Sequence, residues 1–147
     1  MRPQRSSVLE TFVAVVSSWP GVEVVSHHFG GVAFRMGRVE LGHIHANGSL
    51  DLQFPRALRD RLIDEGWATY HHVLPVSDWV TFHLGAVADI HQALRLLRLA
   101  YLRRRLHTAA NDDEVLHEVS QFDPSPDLME TLLTRRITSG TGKVWSR

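Results

Sequence analysis

The chain has 147 residues, 44% of them hydrophobic and 22% charged, which suits one ordinary domain built on a single core. Sixteen basic and sixteen acidic residues cancel, so there is no global field of the kind that draws a protein to nucleic acid or an anionic membrane surface. With no cysteine, the chain can form no disulfide, thiolate metal site, iron–sulfur cluster or cysteine nucleophile, and any metal would fall to carboxylates and the ten histidines.

At the start, Glu10 interrupts the apolar stretch and no small-residue cleavage site follows, so the expectation is a cytoplasmic protein without a signal peptide. No run approaches the roughly eighteen apolar residues of a membrane helix. Ser7 with Glu10 reads as a capping box ahead of Val8, Phe12, Val15 and Val16, whose spacing defines one apolar face of a helix over 7–18. Pro20-Gly21 stops it. "VEVVSHHF" and "VAFRM" follow as β segments around Gly30-Gly31, and His27-His28 reads as part of a solvated loop. After the turn at Gly37-Arg38, "VELGHIHA" and "SLDLQF" are two strands joined by Asn47-Gly48, a strong hairpin signal.

Pro55 suits the first turn of a short helix, with Leu58, Leu62 and Ile63 on its buried side and Gly66 at its end. "WATYHHVL" and "DWVTFHLG" are rich in aromatic and β-branched residues and read as a second hairpin. Asp89 caps a long helix striped by Ile90, Leu94, Leu97 and Tyr101, with Arg103, Arg104 and Arg105 at its negative pole. A helix from Asn111 to Gln121 and another from Ser125-Pro126 to Ile137 complete the chain, before a tail whose one large apolar residue is Trp145. The fold class expected is α+β: an antiparallel sheet of about five strands packed by helices. A single α+β domain over 1–106 would carry a C-terminal helical extension and tail over 107–147.

The segment 30–84 resembles the family of small bacterial proteins labelled luciferase domain, a similarity extending over roughly residues 20–102. Its most specific pieces are Gly42-His43-Ile44-His45, Leu50-Asp51-Leu52, Phe54-Pro55-Arg56, Arg59-Asp60, His71-His72 and the run from Ser77 to Phe82. Asp78 departs from the Ser-Gly-Trp of the family pattern, a change in the turn. The resemblance implies a fold but no reaction, and the chain has no flavin or ATP motif, so no cofactor is specified. "WPGVEVVSHHFGGVAFRMGR" and the later "DWVTFHL" more distantly resemble YjbR-type proteins, which implies an antiparallel sheet packed by helices and a DNA-associated accessory role.

The hairpin register decides what His43, His45 and Asp51 can do. A two-residue turn would set His45 opposite Leu50 and His43 opposite Leu52, on the apolar face. A turn with Gly48 as a left-handed bulge would set His45 opposite Asp51 and His43 opposite Gln53, exposing both histidines and the aspartate while Ile44 joins Leu50, Leu52 and Phe54 in the core. The second satisfies the alternation better. His43, His45 and Asp51 are then the candidate acid-base residues, although exposed His/Asp pairs across a hairpin are also ordinary structure. A zinc site needs at least one more ligand than the two histidines; His71, His72 and His83 are candidates from the second hairpin, and no metal set is assigned. Arg56 and Arg59, with His71 and His72, are the candidate ligand-binding residues, because guanidinium groups and a helix N-terminus favour an anion.

Three functions follow. The first is a binding module presenting a His/Asp/Arg-lined surface to a small anionic ligand or partner. The second is a metal-assisted or His/Asp acid-base enzyme centred on the hairpin. The third is a DNA-associated protein, which needs Arg95, Arg98 and Arg103 to Arg105 on one exposed face. Nucleic acid is disfavoured by the balanced charge, no membrane partner is expected, and an apolar patch on the open sheet face would mean a homodimer.

Overall fold

A computed structural model describes residues 3–71, 73–74, 76–108 and 112–133. His72, Asn111, Ile137 and Trp145, each given a role above, lie outside them. The first helix, α1 (Pro3–Ser17), begins earlier than its expected cap, with Pro3 in the first turn where a missing N–H is harmless. Ser7 is therefore inside the helix and not at its N-cap. Val8, Phe12 and Val16 are buried as the spacing predicts, whereas Val15 is 37% exposed.

Six strands, one more than expected, form a single antiparallel sheet: β1 (Glu23–His27), β2 (Gly31–Met36), β3 (Val39–Ile44), β4 (Ser49–Gln53), β5 (Thr69–Tyr70) and β6 (Trp79–His83). The order is β1-β2-β3-β4-β6-β5, so a four-stranded meander continues into the second hairpin, whose short outer strand forms an edge. α2 (Arg56–Asp64) follows β4 and buries Leu58 and Leu62. α3 (Ile90–Thr108) follows a 3-10 turn over Val87–Asp89, in which Asp89 Oδ2 accepts the backbone N–H groups of Gly85 and Ala86 at 2.9 Å each.

One face of the sheet is apolar. Phe34, Ile44, Leu50, Leu52 and Val80 point to the helices and are at most 2% exposed. α3 is buried far beyond a single stripe, from Ala93 through Leu96, Leu97, Leu99 and Leu102 to Leu106, because it lies between the sheet and α4 (Asp112–Ser120). α5 (Pro126–Leu133) packs on α2, its N-terminus capped by Ser125 Oγ, which accepts the N–H of Leu128 at 2.9 Å. Val115, Val119, Leu128 and Leu132 are part of the same core cluster as the strands. No helix among the described residues is long and apolar enough to cross a membrane.

The hairpin between β3 and β4 uses the glycine bulge. Gly48 N–H donates to His45 O and His45 N–H to Ser49 O, both at 2.9 Å, while Gly48 sits at φ +97° and Asn47 Oδ1 accepts the Ser49 N–H. The pairing is His43 with Asp51 and Ile44 with Leu50. The expected register was thus two residues out, and since side chains repeat every two residues the faces are nevertheless as expected. Gly48 O also accepts the Leu84 N–H at 2.8 Å, and a Cβ at Gly48 would meet Leu84 O at 2.4 Å. Gly48→Ala combines a left-handed φ with that clash, and we expect it to destabilise the domain by about 2 kcal/mol or more in chemical denaturation. A change within about 0.5 kcal/mol would mean that the turn is not held as described.

Candidate functional site

On the sheet face away from the helices, Asp51 is fully buried. A buried carboxylate must be matched by donors or cations, and four side chains do this. Thr81 Oγ1 donates to Oδ1 at 2.7 Å, from the residue directly opposite on β6. Three imidazole Nε2 atoms converge on Oδ2: His45 at 2.8 Å, His43 at 3.4 Å and His71 at 3.4 Å. His43 is opposite Asp51 and His45 reaches it diagonally from the end of β3. His71 arrives from the end of β5, on the far side of β6.

The chain enforces this arrangement in three places. The register of β3 shifts against β2 between Phe34 and Arg35, so that Glu40 opposes Arg35 and Gly42 opposes Phe34, leaving Leu41 as the extra residue. Such a bulge inverts the alternation, and Glu40 and His43, three apart, come to share a face. Glu40 Oε2 consequently lies 2.7 Å from His43 Nδ1. Secondly, the residues of β2 on this face next to His43 and His45 are the small Gly31 and Ala33, and the ring of His27 crosses over them to stack on His43, with centroids 4.3 Å apart and planes at 20°. Thirdly, Trp79 walls the site, its ring 5.2 Å from that of His43 and 6.2 Å from that of His71.

The tautomer of His71 follows from its neighbours. Its Nδ1 accepts the backbone N–H groups of Val73 and Leu74, at 3.1 and 2.9 Å, so its proton resides on Nε2 and points at Asp51. His43 is the reverse case: Nδ1 is the donor to Glu40, and in the neutral ring Nε2 carries a lone pair. Burial pushes the Asp51 carboxyl upward, but the hydrogen bonds of His43, Thr81 and His45 and the charge of His71 overcome it and hold the group well below the usual carboxylate range. The hydrogen bond to Asp51 raises His43, against burial and with help from Glu40. His27 is lowered by burial and then by the neighbouring charges of His43 and His28.

The expected site residues divide. His43, His45, Asp51 and His71 come together, but in a half-buried cluster and not on the open surface expected for the first three: Asp51 is buried, and the side chains of His43, His45 and His71 are 14%, 31% and 12% exposed. Arg56 and Arg59 touch none of them. Arg56 lies 3.4 Å from Asp78 in an exposed pair, and Arg59 is buried with its guanidinium held by Asp60 and the Ser77 carbonyl. His83 shares the face but is exposed at the strand end. Thr81, Glu40 and His27 had not been expected at the site. The strand assignment of β6 could have pointed to Thr81, since the alternation places it between Trp79 and His83; Glu40 and His27 depended on a bulge and on two small residues.

The family model described as Luciferase domain matches residues 38–100, a little under half of the chain. The expected resemblance is found there, and the match contains Glu40, His43, His45, Asp51, His71, Trp79 and Thr81, with His27 outside it. No curated protein and no solved structure matches the chain.

The two shifted groups set a pH window for the metal-free protein. His43 is raised from its ordinary 6.5, so its contribution is complete below pH 6.5 and is lost as pH rises through the folded-state value. Asp51 is depressed from its ordinary 3.8, so its contribution is present above pH 3.8 and fades as pH falls below that. Both operate between pH 3.8 and 6.5. In chelator, the stability difference between the wild-type chain and His43→Gln should therefore narrow as pH rises above 6.5, measured by urea denaturation. A difference that is constant or grows with pH would contradict the assignment.

Proposed function

We propose that the domain is a metal-binding module in which His43, His45 and Asp51 take up a divalent transition-metal ion such as zinc, leaving an open position for a small anion. The observation that carries this reading is that one ligand atom from each of the three lies within 4.8 Å of the other two. A tetrahedral zinc with bonds of about 2.0–2.1 Å sets its ligand atoms about 3.3 Å apart, and the His45 and His43 distances to Asp51 Oδ2, 2.8 and 3.4 Å, require little movement. Glu40 supports the same reading. A carboxylate on the far nitrogen of a ligating histidine fixes its tautomer and increases its basicity. His71 fits a different part, since its Nδ1 already faces two backbone donors and its Nε2 proton points to the carboxylate; it orients Asp51.

A second reading, a metal-assisted or His/Asp acid-base enzyme on the same residues, is favoured by the ligand count, because three protein ligands and a free position are the pattern of catalytic zinc. In either reading the Luciferase-domain match supplies the family resemblance and no reaction.

Titration of the metal-stripped protein with cobalt(II), followed by its visible spectrum and by calorimetry, should give one tightly bound ion per chain with tetrahedral absorption, displaced by zinc. His45→Ala should abolish it. Glu40→Gln should weaken it by about 10- to 100-fold, as loss of a carboxylate partner to a ligating histidine does elsewhere. Arg56→Gln should leave it unchanged. Binding that survives in His45→Ala, or no stoichiometric binding at all, would remove the proposal.

A further inference from the structure

A second site lies on the other side of the β3–β4 hairpin, where the two strands meet α3. A cavity of about 260 Å³ is walled there by Val39, Leu41, Phe54 and Ala100, with Arg103 and Arg104 at its polar side and the strand segments of Glu40 and Gln53 completing its lining. Arg103 differs from the other arginines that approach the core. Arg95 and Arg98 donate to the Phe122 carbonyl and the Glu118 carboxylate, and Arg59 is held by Asp60 and the Ser77 carbonyl. Arg103 is half-buried and, among the described residues, has no hydrogen bond or ion pair. Burial lowers its guanidinium to about 10, which leaves it a cation at neutral pH.

A partly desolvated guanidinium that keeps its charge without a partner lacks the planar acceptor its fork is shaped for. The nearby carboxylate does not supply it, because Glu40 is turned to His43 Nδ1 on the other face of the sheet. We propose that this cavity binds a small organic carboxylate, with its head on Arg103 and its apolar body against Leu41, Phe54 and Ala100. Arg104 adds a second positive charge from the adjacent position of α3. The walls decide between oxyanions. A free phosphate would satisfy the guanidinium but match none of the apolar lining, of which Leu41, Phe54 and Ala100 are already buried, whereas a carboxylate on a ring or short chain matches both. The apolar walls lie within the 38–100 match, whereas Arg103 and Arg104 fall just beyond it.

The proposal does not rest on metal binding, and it is tested on protein stripped of metal and dialysed free of chelator. The probes are benzoate, acetate and inorganic phosphate at constant ionic strength, with affinity read by calorimetry and by amide chemical shifts. Benzoate should bind more tightly than acetate or phosphate and perturb amides of β3, β4 and the C-terminal half of α3. Arg103→Gln should weaken benzoate by about tenfold or more, since it removes the charge and the fork together. Arg103→Lys keeps the cation and should still lose most of the affinity, which covers the case in which the glutamine variant does not fold. Phosphate binding more tightly than benzoate, equal benzoate binding by wild type and both variants, or shifts confined to Arg56 and its surroundings would each overturn the proposal.

Discussion

One buried charge organises the histidine-bearing face of this protein. Asp51 is in the middle of a central strand with no exposure, and an ionised carboxylate in that position is sustainable only if each oxygen is met. Thr81 meets one, and the imidazoles of His43, His45 and His71 surround the other. These partners come from β3, β6 and the end of β5, so the carboxylate ties together strands that the core face joins only through apolar contact. Removing one partner would leave charge uncompensated, and the cluster is therefore cooperative in a way that an apolar layer is not.

Two backbone irregularities make the cluster possible. Gly48, in the left-handed region, ends the β3–β4 turn with the odd residue count that brings His43 opposite Asp51. The extra residue at Leu41 then reverses the alternation and returns Glu40 to the face of His43. Without the first, the histidines would join Leu50 and Leu52 in the core; without the second, Glu40 would point away from the imidazole it holds. Both irregularities act through the period of two that governs strand side chains, so each converts a change of one residue into a change of face.

That periodicity also explains what could be read in advance. The meander, the second hairpin and the long helix follow from turn residues and apolar spacing, and the face carrying His43, His45 and Asp51 was legible because Ile44, Leu50 and Leu52 have to be buried. The partner of each residue was not legible: the predicted register differed from the actual one by two, an error that the burial pattern cannot detect. Burial of the site was invisible for another reason. It comes from side chains distant in sequence, Trp79, His71 and Thr81, closing over Asp51, and from His27 crossing the small residues Gly31 and Ala33. The arginines show the same limit. Arg56 and Arg59 had the sequence context of an anion site, but carboxylates and a carbonyl already engage them, while Arg103 in an apparent helix-end run faces a cavity.

Glu40 is the residue through which the two candidate sites are related. It sits at the bulge of β3, with its carboxylate on His43 Nδ1 and its body in the wall of the Arg103 cavity. A buried carboxylate ringed by three half-buried imidazoles costs stability relative to apolar packing of the same volume, and a half-buried guanidinium left unpaired adds to that cost. Local departures from the apolar rule that are this closely grouped, on a hairpin bent by a bulge, occur where a fold gives up stability for a site. Glu40 occupies the only short path between them among the contacts described, from the Arg103 cavity through one carboxylate to the imidazole beside Asp51.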